Sequence, residues 1–186
     1  MKSTKKDLIL KISKKYGLTH IGSCLSVLPI LEEIYNEKGK EDIVIMDNAH
    51  AHLAHLLFLH ASPTLVEKLI HKDIHCNRPA GCDAQGGSLG HGLGISIGYA
   101  LAGRRVYCVV SDGSMMEGSN WEALRIIDSL NLPIKIYVNA NGFSAVAPVD
   151  PYFLKLRMQL FLKGIEFRQT DNGEGFEGVQ GHYKQI

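Results

Sequence analysis

Two short polar runs carry the oxygen donors from which a divalent-cation site can be built. Ser111-Asp112-Gly113-Ser114-Met115-Met116-Glu117-Gly118 follows the branched apolar stretch Val106 to Val110, and Asn139-Ala140-Asn141-Gly142-Phe143 follows Ile134 to Val138. Asn141 stands 29 residues after Asp112. One carboxylate, one amide oxygen and a backbone carbonyl are hard ligands, suited to octahedral Mg²⁺ that also holds phosphate oxygens. A glycine directly after the Asp lets the backbone approach an anion closely. Each run also has a plainer reading when taken alone: Asp112 caps the helix starting near Glu117, and Asn141-Gly142 is an ordinary turn.

A third stretch, Gly86-Gly87-Ser88-Leu89-Gly90-His91-Gly92-Leu93-Gly94, opens a helical pattern. Its G-x-G-x-G spacing suggests a dinucleotide fingerprint, but no strand precedes it, so close approach of a cofactor to the backbone is the reading that survives. Nine histidines invite a metal-site reading. His50, His52 and His55 do not share one helical face, which argues against zinc there. His71 and His75 share a face, with Cys76 and Cys82 nearby, and form the alternative zinc set. Cys24, Cys76, Cys82 and Cys108 make no C-x-x-C pair, so no zinc ribbon or disulfide framework is expected.

The elements that must position these groups alternate. Strand patterns at 43–46, 106–110, 134–138 and 165–168 are interleaved with helical patterns at 25–36, 49–60, 93–102, 121–130 and 153–162. Alternation predicts an α/β fold: a doubly wound, mostly parallel sheet with helices on both faces, and a single domain over 1–186. In such sheets a ligand sits outside the carboxyl ends of the strands, where Asp112 and Asn141 fall. The stretch Asp171 to Gly178, rich in acidic residues and glycine, reads as a loop with no assigned role.

Composition narrows the function classes. With 45% apolar and 21% charged residues the chain is expected to fold, and a net charge of +1 offers no field for nucleic acid or an anionic membrane. The cluster Lys2, Lys5, Lys6, Lys11, Lys14 and Lys15 alternates with Ile9, Leu10 and Ile12 and reads as a solvated helix face. The apolar runs are too short for a membrane span and the start has no signal-peptide pattern, so a cytoplasmic location is expected.

Together, Gly87 to Gly92, Asp112-Gly113 with Glu117-Gly118 and Trp121-Glu122-Ala123, and Val138 to Gly142 resemble the thiamine-diphosphate-binding domain of transketolases in residues, order and spacing. Thr19 to Ser23 and Asp47 to Ala51 are similar to that family's two His-bearing segments, so the likeness covers roughly residues 16 to 145. The resemblance implies the thiamine-diphosphate-binding fold. It implies that Asp112, Asn141 and the carbonyl of Phe143 hold Mg²⁺, and that Gly113 and Ser114 lie against the diphosphate. Gly87, Ser88 and Leu89 line the aminopyrimidine or thiazolium. His20, His50 and, on a looser alignment, His75 face the diphosphate and the reacting sugar. Glu117 and Glu122 correspond to carboxylates of a network across the subunit interface.

Two departures stand out. Ser111 replaces the family's usual Gly, at little cost if the backbone has ordinary dihedrals, and Asn139 replaces an Asp, removing a charge near the metal. The chain ends soon after the second polar run. The resemblance therefore implies a separately encoded partner bearing the pyrimidine-binding domain, in a heterotetramer that transfers a two-carbon ketol unit between sugar phosphates. The alternatives are the small subunit of a thiamine-dependent 2-oxoacid decarboxylase and a non-catalytic shortened relative.

Overall fold

The computed structural model describes residues 3–72, 75–144 and 146–186, apart from the side chains of residues 71 and 72. In chain order the helices and strands are α1 (Lys5–Tyr16), α2 (Ile21–Glu37), β1 (Ile43–Met46), α3 (His52–Leu59), α4 (Pro63–Lys72), α5 (Gly92–Leu101), β2 (Val106–Ser111), α6 (Gly118–Leu130), β3 (Ile134–Ala140), α7 (Pro151–Phe161), β4 (Glu166–Gln169) and α8 (Gly178–Gly181). The strands form one parallel sheet in the order β1-β2-β3-β4. The α/β expectation is met, and the four strand patterns fall where the strands lie.

Alternation along each strand divides the core in two. Val44, Met46, Tyr107, Val109 and Tyr137 face the layer of α1 to α4, whereas Ile43, Ile45, Val106, Cys108, Val110, Ile136 and Val138 face α5, α6 and α7. Every residue of β1 and β2 is buried, as a parallel strand covered on both faces requires.

Local chemistry sets the helix ends. Thr4 and Asp7 make a reciprocal capping box on α1, and Gly17 ends it in the left-handed conformation with φ 60°. Lys6, Lys11, Lys14 and Lys15 are exposed and Ile9 and Ile12 are fully buried, so the basic cluster is a solvated face; Lys2 lies outside the described residues. The pattern over 49–60 resolves into a 3-10 turn (Ala49–Ala51) followed by α3. Helix α4 was not anticipated, although Pro63 at its first position and Leu65, Val66, Leu69 and Ile70 at helical spacing carried the signal. Among the described residues, no helix is long and apolar enough to cross a membrane.

Candidate functional site

A cavity of about 190 Å³ opens where β1, β2 and β3 end. It is lined by Asn48 and His50 after β1, Ser111 to Gly113 at the end of β2, and Asn139, Asn141, Phe143 and Ser144 at the end of β3. Parallel register produces this convergence: Ser111 pairs with Asn139, so the next residues of both strands leave the sheet side by side.

On this side the backbone wraps one carboxylate. Asp112 Oδ2 accepts from the Gly142 and Phe143 amides at 2.7 and 3.1 Å, and Oδ1 accepts from the Gly113 amide at 3.0 Å. Asn141 Oδ1 accepts from the same Phe143 amide at 3.1 Å, which places the carboxylate and amide oxygens beside one another. Burial pushes the Asp112 carboxyl up to about 6, against the pull of those three amides. No cationic side chain among the described residues is hydrogen-bonded to Asp112. An anionic, all-oxygen donor pair of this kind, its carboxylate buried and its amide half-buried, fits a hard divalent cation.

The opposite wall is imidazole. His20, His50, His75 and His182 all line the cavity. The His20 and His50 rings stand 4.8 Å apart, and the His182 ring lies 6.0 Å from His20. His20 occupies a left-handed position (φ 58°) before α2, its amide donates to the His182 carbonyl at 2.7 Å, and its Nδ1 is engaged by the Thr19 hydroxyl at 2.9 Å. Burial, reinforced by the charges of the other imidazoles, holds His20 down at about 4 and His50 at about 3. Both are neutral near pH 7 and able to exchange protons with a hydroxyl. His182 is shifted in the same direction by burial.

Asn48 points to a ligand most directly. Its side chain is fully buried on the cavity wall, and neither Oδ1 nor Nδ2 has a partner among the described residues. An amide left unpaired in this way costs about 1–3 kcal/mol, which a bound polar group would recover.

The structure assigns most of the glycine run to packing. Asp47 Oδ1 accepts from the His91 and Gly92 amides at 2.9 and 2.7 Å, while Oδ2 accepts from the Gly90 amide at 3.1 Å and from Asn120 Nδ2 at 2.9 Å. Asp47 thus caps α5 from the end of β1. A Cβ on Gly92 would meet Asp47 Cβ at 2.5 Å, and one on Gly90 would meet Ser119 Oγ at 2.6 Å. At these two positions glycine makes room for protein rather than for a cofactor. Of the run, only Gly87 and Leu89 reach the cavity.

Other expected residues lie elsewhere. Ser88 is exposed and borders a different, smaller cavity. Ser114 is buried, and its amide and hydroxyl are both held by Ser111 Oγ at 3.0 Å, so its amide is already occupied. Glu117 and Glu122 are exposed outside the cavity, and Glu122 is paired with Arg125. Ser111 has no positive φ, in keeping with the low cost expected of it. Asn139 donates to Ser26 Oγ at 2.9 Å and accepts from Thr170 Oγ1 at 2.6 Å, so its amide also joins α2 to the segment after β4.

Sequence reasoning missed Asn48, Ser23, Ser144 and His182. Asn48 was legible as the polar residue next to Asp47 at a strand's end. His182 had no signal, because the fold-back that delivers it is tertiary. Phe176 and Asn172 of the 171–178 loop are buried against α2, where Gly22 leaves only about 3 Å for a Cβ, and this carries α8 and His182 to the cavity.

Comparison with known proteins agrees with this geometry. The family described as thiamine pyrophosphate enzyme, C-terminal TPP binding domain, matches residues 68–147, which include the Asp112 and Asn141 arms. Transketolase-like protein 2 of Mus musculus is 30% identical over 164 residues, covering 70% of this chain. These likenesses support a transketolase-family thiamine-diphosphate-binding domain in this chain. Human transketolase is 36% identical over 94 residues, covering 45% of this chain. An apulose-4-phosphate transketolase subunit from Actinobacillus succinogenes is 27% identical over 161 residues, covering 73%. The chain spans 26% of the mouse protein, 14% of the human one and 58% of the bacterial subunit.

Proposed function

We propose that this chain is the Mg²⁺- and diphosphate-binding component of a transketolase, transferring a two-carbon ketol unit between ketose and aldose sugar phosphates. The observation that carries the reading is one cavity with an oxygen-donor arm at Asp112 and Asn141 facing a wall of neutral imidazoles. Asp112, Asn141 and the Phe143 carbonyl would hold Mg²⁺, with Gly113 against the diphosphate. Gly87 and Leu89 would line the rings. Thiamine diphosphate, when bound, supplies the nucleophilic carbon and the electron sink that the side chains lack. His20 and His50 remain uncharged and hold or move protons at sugar hydroxyls, and Asn48 supplies a donor and an acceptor to the bound polar groups.

A partner domain completes this reading. The cavity, about 190 Å³, is smaller than the roughly 300–1,000 Å³ of pockets that enclose a drug-sized ligand, so it accommodates part of the cofactor. The remainder would lie against a pyrimidine-binding domain on a separate chain, in a heterotetramer with Glu117 and Glu122 at the interface. An exposed apolar groove beside Glu117, about 510 Å³ and lined by Met116, Trp121, Phe153, Leu160 and Phe161, supports such a surface. The bacterial relative, named as one subunit of its enzyme, favours a two-chain arrangement.

Calorimetry with thiamine diphosphate, with and without Mg²⁺, on the chain alone and with a pyrimidine-domain partner tests the reading. Binding that needs Mg²⁺ and tightens with the partner is expected, followed by ketol transfer from a ketose phosphate. Carbon dioxide release from 2-oxoacids in place of ketol transfer would assign the chain to the decarboxylases. Absence of binding under all conditions would make it a non-catalytic relative.

A further inference from the structure

A second cluster of ligating side chains lies outside the cavity, under the segment 75–92. Cys76 and Cys82 come from that segment, and His52 and His55, one turn apart on α3, come from beneath it. All four are buried, with exposures of 0% for His52, 1% for His55, 3% for Cys76 and 6% for Cys82. One ligand atom from each of His52, Cys76 and Cys82 lies within 4.8 Å of the others. Cys82 Sγ stands 3.5 Å from His52 Nε2 and 3.8 Å from His55 Nδ1, and Cys76 Sγ stands 3.8 Å from the same His55 nitrogen.

These three sulfur–nitrogen separations are close to the edges of a tetrahedron, and His55 joins the mutually close set of His52, Cys76 and Cys82 through the two sulfurs. With Zn–S near 2.3 Å and Zn–N near 2.05 Å, neighbouring sulfur and nitrogen ligands of a tetrahedral zinc lie about 3.6 Å apart. His55 is oriented for the role, because its other nitrogen, Nε2, is hydrogen-bonded to Tyr35 Oη at 2.9 Å, the outer contact that fixes a ligating ring. The backbone holds the thiol segment in place as well: the Cys76 amide donates to the Ala49 carbonyl at 3.3 Å, and the Gly86 amide to the Cys76 carbonyl at 2.8 Å. The Cys82 thiol is pulled well below its ordinary value, first by a hydrogen bond from Cys76 and then by His52 and His55, against the opposing effect of burial.

We propose that His52, His55, Cys76 and Cys82 form a closed, structural zinc site that clips the 75–92 segment to α3. It corrects both zinc sets weighed from the sequence. Each held two of these residues, His52 with His55 or Cys76 with Cys82; His50 and His75 face the cavity instead, and the His71 side chain lies outside the described residues. Soft sulfur and imidazole donors select zinc here, whereas the hard oxygens of Asp112 and Asn141 do not. All four positions would be filled by protein, so the ion would bind no substrate. Its effect would be to hold His75, Gly87 and Leu89 in place, and the site stands whether or not the cofactor reading does.

The test uses zinc and cobalt(II) as the probes. The full chain, purified without chelator, is assayed by elemental analysis, then stripped and reloaded with cobalt(II). Expected are about one zinc per chain and, with cobalt, thiolate charge-transfer bands with intense tetrahedral d–d bands. Cys76→Ser and Cys82→Ser should each lose most of the zinc, whereas Cys24→Ser and Cys108→Ser, buried thiols elsewhere, should keep it. If the wild-type chain takes up no zinc on loading and shows no cobalt–thiolate bands, the proposal is wrong, whatever the variants do. Zinc retained at the wild-type level by folded Cys76→Ser and Cys82→Ser would also overturn it.

Discussion

The two arms of the cavity are held in opposite ways. The strand-end arm, Asp112 to Ser114 with Asn141 to Ser144, stabilises itself: the amides that fix Asp112 come from the residue next to it and from the turn just past the end of the paired strand β3. The 75–92 arm depends on groups from elsewhere, the Asp47 carboxylate at one end and the imidazoles of α3 at the other. A self-contained arm reads as a motif. An arm held from outside is recognised only when its supports are known.

Removing a support should have the largest effect. Asp47→Ala leaves the Gly90, His91 and Gly92 amides and Asn120 Nδ2 without their buried acceptor, at about 1–3 kcal/mol for each donor not otherwise satisfied. A loss of at least about 3 kcal/mol in urea unfolding is expected. A loss under about 1 kcal/mol would mean that the 75–92 arm holds itself, and the contrast between the arms would disappear.

In the strand-end arm the effect on binding should exceed the effect on folding. Asp112→Asn keeps one oxygen for the Gly142 and Phe143 amides but turns an NH2 toward the Gly113 amide, and should cost about 1–2 kcal/mol of stability, from one hydrogen bond lost and one donor left unpaired. Mg²⁺-dependent thiamine diphosphate binding should meanwhile fall below calorimetric detection, because the one charged oxygen ligand is gone. Unchanged Mg²⁺ dependence would show that Asp112 serves only as a backbone clamp.

The smallest effect at neutral pH concerns the imidazole wall. His50 and His20 have folded values of about 3 and 4, below the ordinary 6.5, so the unfolded chain binds protons there that the folded chain refuses. Their contribution is fully present above 6.5, is lost as pH falls toward 4 for His20 and 3 for His50, and is level below those values. Urea midpoints measured from about pH 7 to 4.5 should fall less steeply in His50→Gln than in the wild type. Equal slopes would show that burial does not hold His50 neutral.

How much was legible follows from the same contrast. The four strands and the polar runs at the ends of β2 and β3 could be read directly, because branched runs and polar strand ends are local features, whereas the His20 and His50 segments were found only through the family resemblance. The glycines at 90 and 92 were read as room for a ligand, yet they make room for Ser119 and Asp47, residues 29 and 45 positions away in sequence. The same holds for the zinc sets, which joined sequence neighbours instead of residues up to 30 positions apart. The 171–178 loop could be called a loop, but only its packing on α2 shows that it brings His182 to the cavity.

By itself the sequence determined the parallel α/β framework and which polar residues stand at the strand ends. Hydrophobic period and turn residues act over a few positions, and parallel pairing then carries consecutive strand ends to one edge of the sheet. Tertiary structure alone decided which histidines face the cavity, which glycines yield to protein, and which thiols meet which imidazoles. Those outcomes depend on contacts between helices and loops distant in sequence, and no local pattern encodes the relative placement of two such segments.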